Sequence, residues 1–263
     1  MRILFIGDIV GRPGRRAVEA LLPDLRSEFA IDLVRANVEN AASGRGIQPA
    51  AAKEIWSAGV QVFTGGNHIW DKSDGIDLIA KDPRIVRPLN LPPGTPGRGL
   101  GLYEVGEVTV AVVNLLGRVY MSPAECPFRA IDTALESLAG RAQVVFIDFH
   151  AEATAEKIAF GWHVDGRASA VIGTHTHVQT ADERILPGGT AYLTDAGMTG
   201  PHDSVIGVRK EDAVRKMITG LPVRFQTAES DIRLHGVLLE VDPSSGRAQK
   251  VERIQRALTE GKR

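Results

Sequence analysis

The sequence predicts an α/β protein with a mixed sheet system, and three observations carry that reading. From residue 2 to residue 64, β-rich apolar runs alternate with helix-period segments, giving strand, helix, strand, helix, strand. That rhythm is the signature of parallel βαβ units. Farther on, Leu102 to Val105 and Val108 to Asn114 meet across Gly106-Glu107 as a hairpin, so antiparallel pairs are present as well. Finally, the 263 residues are 43% hydrophobic and 24% charged, ordinary for a soluble chain near the upper size of one core. No internal repeat, low-complexity stretch or linker interrupts them, so residues 1–263 read as one domain.

Arg2 to Ile6 is the first strand, closed by Gly7-Asp8. Gly11-Arg12-Pro13-Gly14 reads as a turn into a helix from Arg15 to Phe29, with Val18, Leu21, Leu22 and Leu25 at helical spacing and a kink expected at Pro23. Ile31 to Ala36 is a strand, followed by Asn37-Val38-Glu39-Asn40 and a Gly-rich loop through Gly46. Pro49 to Ala58 is a helix with proline in its first turn, and Val60 to Thr64 a strand closed by Gly65-Gly66-Asn67-His68. Asp82 to Gly101, rich in Pro and Gly, reads as a long excursion or lid. After the hairpin come a helix from Phe128 to Leu138, a strand from Val144 to Phe149 ending on His150, and a helix from Ala153 to Phe160. Ala168 to Ile172 and Thr190 to Thr194 are strands, the second ending at Asp195 before the loop Ala196 to Pro201. A closing hairpin pairs Ile232 to Val241 with Ala248 to Ile254, and the tail after Arg256 is polar and expected to fray.

Composition excludes several classes of function. Net charge is −1 with Lys and Arg scattered, which gives no basic face for nucleic acid. The N-terminal apolar run is too short for a signal peptide, and no run approaches membrane-spanning length. A single cysteine, Cys126, rules out an internal disulfide and any cysteine-cluster zinc site; without a neighbouring His or Lys it reads as structural. The expectation is a soluble, cytoplasmic protein that acts on a small molecule, with homo-oligomerisation left open.

The stretch that carries chemistry is Gly173-Thr174-His175-Thr176-His177. Histidines at i and i+2 on a strand share one face, and at a strand end where Gly173 lets the backbone turn they can converge on one point. Other strand ends carry the same kind of residue: Asp8; Glu39 and Asn40; Asn67 and His68; His150. Each alone has a plain structural role, as cap, solvated carboxylate, turn former or core histidine. Together they form a candidate metal site, because ligands in open α/β sheets gather outside the carboxyl ends of the strands. Imidazole and carboxylate without thiolate suit catalytic iron, manganese or zinc. The donors are too many for one ion, and two ions roughly 3.5–4 Å apart are a recurring device for phosphate esters. Even with a bridging hydroxide as nucleophile, two divalent ions outweigh Asp8 and Glu39, leaving a site of about +1 that attracts phosphate.

Gly7-Asp8, Gly65-Gly66-Asn67-His68, His150 and Gly173 to His177 resemble the calcineurin-like metallophosphoesterases. The resemblance implies a sandwich of two mixed sheets flanked by helices. Two departures from the common pattern, Val10 in place of a histidine and Glu39 in place of a bridging aspartate, together with Thr194 to Pro201, resemble the YmdB-type bacterial phosphodiesterases over nearly the whole chain. That resemblance implies hydrolysis of cyclic nucleotides, 2′,3′-cyclic ones above all, with iron as the usual metal. Carried over residue by residue, it gives the first metal Asp8, Glu39, Asn40 and His177. The second takes Glu39 as bridge, Asn67, His150 and His175. His68 stands beside the site as general acid, oriented by Asp71 unless that residue caps the next helix, the commoner role. Asp195, His202, Asp203 and Ser204 are candidates for the pocket lining, although His202 also suits plain surface. Thr199 and Ser204 lack a Ser-His-acid setting, and Gly11 to Gly14 make neither a dinucleotide nor a P-loop fingerprint. A barrel amidohydrolase, in which the His pair comes early, fits poorly. A regulator that keeps the pocket for nucleotide sensing is the alternative to an enzyme.

Overall fold

In the computed structural model, residues 1–259 are described; the end of the predicted fraying tail, residues 260–263, lies outside them. The chain runs β1 (Arg2–Ile6), β2 (Asp8–Ile9), α1 (Gly11–Phe29), β3 (Leu33–Asn37), α2 (Pro49–Ser57), β4 (Val62–Thr64), α3 (Ser73–Lys81) and β5 (Ile85–Val86). It continues with β6 (Leu100–Val105), β7 (Val108–Leu116), α4 (Pro127–Leu138), β8 (Val144–His150), α5 (Thr154–His163) and β9 (Ala170–Thr174). The last elements are β10 (Arg184–Ile185), β11 (Ala191–Leu193), β12 (Met198–Pro201), α6 (Lys210–Thr219), β13 (Ile232–Val241) and β14 (Ala248–Ala257). No helix among the described residues is long and apolar enough to cross a membrane.

These strands make the two expected mixed sheets. In the first, the order is β2-β12-β13-β1-β3-β4-β5, with β14 also on β13. Here β1, β3, β4 and β5 are parallel, and β13 runs antiparallel to β1. The second runs β10-β11-β9-β8-β7-β6; β11, β9, β8 and β7 are parallel, while β6 closes the predicted hairpin. Period-two alternation sorts the side chains into layers. On β3, Val34 and Ala36 face α1 and α2, whereas Leu33 faces inward with Phe5, Val62, Val112 and Phe146 between the sheets. On the far side, Ile147 and Phe149 of β8 pack with Ile131 of α4 and Phe160 of α5. Burying an aliphatic or aromatic side chain contributes roughly 1.5–3 kcal/mol, so three such layers hold the strand ends in fixed positions.

Several expectations need correction. Helix α1 starts at Gly11, not Arg15, and continues through Pro23. A Cβ on Gly14 would lie 2.4 Å from the Thr199 carbonyl, so this glycine lets the helix approach β12 and does not serve a turn. The loop expected at Ala196 to Pro201 contains β12, which pairs in parallel with Asp8 and Ile9. Four residues including Gly200 and Pro201 are too few to show a period, and only distant partners make them a strand. Part of the excursion from Asp82 to Gly101 is also sheet, since β5 extends the first sheet. Helix α6 was not anticipated; it buries Ala213 and leaves Val214, Met217 and Ile218 exposed, which blurs its helical stripe.

Candidate metal centre

The parallel strands of both sheets end at one rim, and the candidate residues meet there. Asp8 stands two residues beyond the end of β1, as expected, and there opens the short β2; it is fully buried. A Cβ on the preceding Gly7 would fall 2.0 Å from the Gly197 carbonyl, so only glycine lets β12 come alongside. After β3, the Asn37 side chain accepts the Glu39 N–H at 3.1 Å and donates to the Gly65 carbonyl at 2.9 Å. That bends the chain so that Glu39 and Asn40 turn inward, 1% and 3% exposed. After β4, a Cβ on Gly66 would lie 2.2 Å from Glu39 Oε2 and 2.4 Å from His150 Nε2. Glycine at this position keeps the space over those two donors clear.

The two histidines of the His-x-His pair do converge, but not through Gly173. That residue lies inside β9, where its lack of a side chain admits the Thr194 carbonyl. The turn comes from the histidines, with φ of +101° at His175 and +66° at His177. Left-handed backbone at non-glycine residues is strained and is held where the surroundings over-determine it. Here the buried Asp195 does so: it takes Lys157 Nζ at 2.7 Å and the N–H groups of Thr176 and Gly197 at 3.1 and 2.8 Å. Asp195 is therefore a brace for the turn and not a pocket residue.

Around His150 Nε2 stand Asn67 Oδ1 at 2.9 Å, His175 Nδ1 at 3.1 Å and Glu39 Oε1 at 3.1 Å. Donors about 2.1 Å from one ion lie about 3 Å apart when they meet it at right angles, so this spacing suits a shared cation. Beside this set, His177 Nε2 faces Asn40 Nδ2 at 3.1 Å and Asp8 Oδ1 at 4.0 Å, and Asn40 Nδ2 reaches Glu39 Oε1 at 3.2 Å. A half-turn of the Asn40 amide would present its oxygen to the same point. Asp8 Oδ2 accepts the His175 N–H at 3.2 Å, whereas the buried Oδ1 has no hydrogen-bond partner among the described residues. An orphaned carboxylate oxygen and a ring of facing donors are what a cation would satisfy, so the residues fit metal binding.

The electrostatics agree. Burial pushes the Asp8 carboxyl up to about 6, against the pull of His177 and His150. Burial works the same way on Glu39, but the His150 ring outweighs it and holds Glu39 at about 2. Burial alone would lower His150; Glu39 and Asp8 carry it up to about 9. For His175, burial and the neighbouring His150 charge give about 3. At neutral pH the two carboxylates thus outnumber the one charged ring, His150, and leave negative charge for a cation to offset.

Each imidazole is aimed through its other nitrogen. His177 Nδ1–H donates to the Ile206 carbonyl at 2.9 Å, and His175 Nε2 pairs with Glu152 at 3.1 Å. His150 Nδ1–H donates to the Thr174 hydroxyl at 2.8 Å, which donates to Asp148 at 2.6 Å. Sequence reasoning missed Asp148, Glu152 and Ile206. Asp148 alone left a signal: an acid within Val144 to His150, two residues before His150 and on the same strand face.

Beside the cluster opens a cavity of about 330 Å³, lined by Glu39, Asn40, His68, His175 and His177. His68 donates its backbone N–H to Glu39 at 2.9 Å, and its Nδ1 meets Asp71 at 3.0 Å. Asp71 is thus not the cap of α3, whose first residue follows Lys72. Arg45 lines the cavity and Arg12 does not. Nor do the other pocket candidates: His202 packs on His235, Asp203 pairs with Lys210, and Ser204 donates to the Pro201 carbonyl.

The family described as YmdB-like protein matches residues 4–254, nearly the whole chain. The chain belongs to that family. A 2′,3′-cyclic-nucleotide 2′-phosphodiesterase of Bacillus subtilis is 48% identical over 254 residues, covering 97% of this chain and 96% of the relative. The crystal structure of a novel phosphatase from Mycoplasma pneumoniae superposes with a TM-score of 0.93 at 34% identity, covering 98% of this chain and 93% of that one. At 13% identity, a Staphylococcus aureus protein assigned as a 5′-nucleotidase shares the fold with a TM-score of 0.59 over 97% of this chain and 54% of its own. The YmdB-like chain thus has the calcineurin-like architecture that the resemblance implied.

Proposed function

We propose that this chain hydrolyses phosphodiesters, 2′,3′-cyclic nucleotides in particular, at a centre of two metal ions with His68 as general acid. That the chain is a hydrolase of phosphoric esters follows from its family and from relatives named phosphodiesterase and phosphatase. The observation that carries the finer reading is the division of the donors into two sets that share Glu39, with His68 outside both. One set is Asp8, Asn40 and His177; the other is Asn67, His150 and His175.

When bound, the metals supply Lewis acidity toward the phosphoryl oxygens and toward a water nucleophile. Imidazole, carboxylate and amide oxygen without thiolate suit iron, with manganese or zinc as substitutes. The chain supplies the rest. Glu39 is held between the two donor sets by the His68 N–H, and His150 by the Thr174 hydroxyl. Asp71 fixes the His68 ring through Nδ1, so Nε2 is the nitrogen free to hand a proton to the leaving ribose oxygen. A ribose alkoxide is a poor leaving group, and donation of that proton is worth roughly 10²–10⁴-fold. Turnover of 2′,3′-cyclic AMP by protein loaded with Fe²⁺ or Mn²⁺ tests the reading. Binding with no turnover under either metal would favour a nucleotide sensor instead.

A further inference from the structure

The apolar part of the cavity comes from two short segments that the metal reading leaves without a task. Ile206 and Val208 precede α6, and Phe225 follows it. Their backbones are tied together: Arg209 N–H donates to the Gln226 carbonyl and Ala228 N–H to the Gly207 carbonyl, both at 2.9 Å, and Val208 bridges Thr227. This shelf remains open to solvent, with Ile206 52% and Phe225 45% exposed. Exposed apolar surface beside a cluster of candidate metal ligands in one cavity marks a contact surface. Ile206 also has φ of +48°, a genuine outlier for a β-branched residue. Its carbonyl holds His177 Nδ1 at 2.9 Å, so the same strained residue lines the shelf and aims a candidate metal ligand.

From this arrangement we infer that Ile206 and Phe225 form the subsite for the nucleobase, which they recognise by stacking and not through its hydrogen-bonding edge. The inference rests on the phosphodiesterase reading and names the part of the substrate that the metals do not touch. A phosphodiester held at the His175–His177 end leaves its attached group to occupy the remainder of the cavity. Of the groups such an ester carries, a flat heteroaromatic base is the one that an aromatic face recognises best. Lys216 Nζ lies 4.9 Å from the Phe225 ring centre, on which it adds a cation–π contact. Thr227 is the one shelf residue with a hydrogen-bonding side chain, so the shelf offers little with which to tell one base edge from another. Every base has a π-face, and the shelf tolerates all four.

The test compares two five-membered cyclic phosphates, 2′,3′-cyclic AMP and the base-free glycerol 1,2-cyclic phosphate. Phe225→Ala should raise KM for the nucleotide about tenfold with kcat little changed, leave the glycerol ester unaffected, and be rescued by Phe225→Trp. A metal-independent readout accompanies it. In saturation-transfer NMR on metal-free protein, the base protons of adenosine should receive saturation in the parent and lose most of it in Phe225→Ala. An equal loss on both esters, an unchanged nucleotide KM, or undiminished transfer to adenosine would overturn the subsite. If the parent hydrolyses neither ester, the phosphodiesterase reading fails, while the adenosine experiment still decides the shelf.

Discussion

Asp148 and His150, two residues apart on one face of β8, are joined through a single hydroxyl, that of Thr174. With a cation bound, that chain of donors would leave His150 one arrangement, with the proton on Nδ1 and the lone pair of Nε2 toward the point shared by Asn67, His175 and Glu39. Outer partners of this kind fix ring orientation and raise ligand basicity. Asp148→Asn keeps the size but puts an amide where a carboxylate accepts from Thr174, Thr64 and Asn37. Metal affinity should fall about 10- to 100-fold in chelator competition. Equal affinity in the two proteins would show that the hydroxyl relay is dispensable.

Glu39 is the residue common to both donor sets, so Glu39→Ala should lose both ions and Asp8→Ala mainly one. Elemental analysis of protein purified without chelator reads this directly. A parent with one tight ion, and no second recoverable at millimolar metal, would contradict the dinuclear assignment.

His68→Ala should keep its metals. On bis-p-nitrophenyl phosphate, whose leaving group needs little protonation, it should lose modestly. On 2′,3′-cyclic AMP the loss should reach roughly 10²–10⁴-fold. Parallel losses on the two substrates with depleted metal would make His68 a ligand.

Diesters should outrun monoesters, because a terminal phosphate dianion asks for a cluster of arginines, and among the described residues Arg45 is the one arginine on the cavity. Arg45 lies 3.8 Å from Asp71, which already partners His68. The comparison is bis-p-nitrophenyl phosphate against p-nitrophenyl phosphate at one pH. Equal or reversed rates would count against the preference, and if Arg45→Ala then removed only the monoester rate, Arg45 would be the cause.

His235 sets an acid limit on stability. It is 6% exposed, neither ring nitrogen has a hydrogen-bond partner among the described residues, and burial, then His202 and Arg233, push it down to about 4, against the pull of Asp231. A base whose folded value lies below its unfolded 6.5 contributes stability above pH 6.5. That contribution is lost as pH falls from there toward about 4, because the unfolded chain takes the proton first. Between pH 6.5 and 5 the loss is about 2 kcal/mol. Urea midpoints at pH 7.5 and 5 should separate less in His235→Leu than in the parent, and identical separations would assign the acid sensitivity elsewhere.

The sheet system and the donor set were legible because each rests on local pattern. Strand periodicity placed β1, β3, β8 and β9 within about two residues, and the donors stand at or beside the ends of those runs. What escaped was non-local. Met198–Pro201 is a strand only because β2 and β13 lie beside it. The His-x-His turn was credited to Gly173, since left-handed histidine is unfavourable until Asp195 and Lys157 hold the loop, and no spacing reveals that brace. Ile206 and Phe225 look like ordinary loop hydrophobics until α6 is in place between them.

Strand β13 sits between β1 and β12, and it supplies the antiparallel partner of both. The N-terminal strand that leads to Asp8 is therefore completed by residues 232–241, from the far end of the fold in sequence terms. Until that pairing forms, Asp8, Glu39 and Asn67 belong to an unfinished half-sheet with a bare edge, and contacts of such sequence separation form slowly. The centre can close only once β13 has docked between β1 and β12, so one long-range pairing decides when the carboxylates come together.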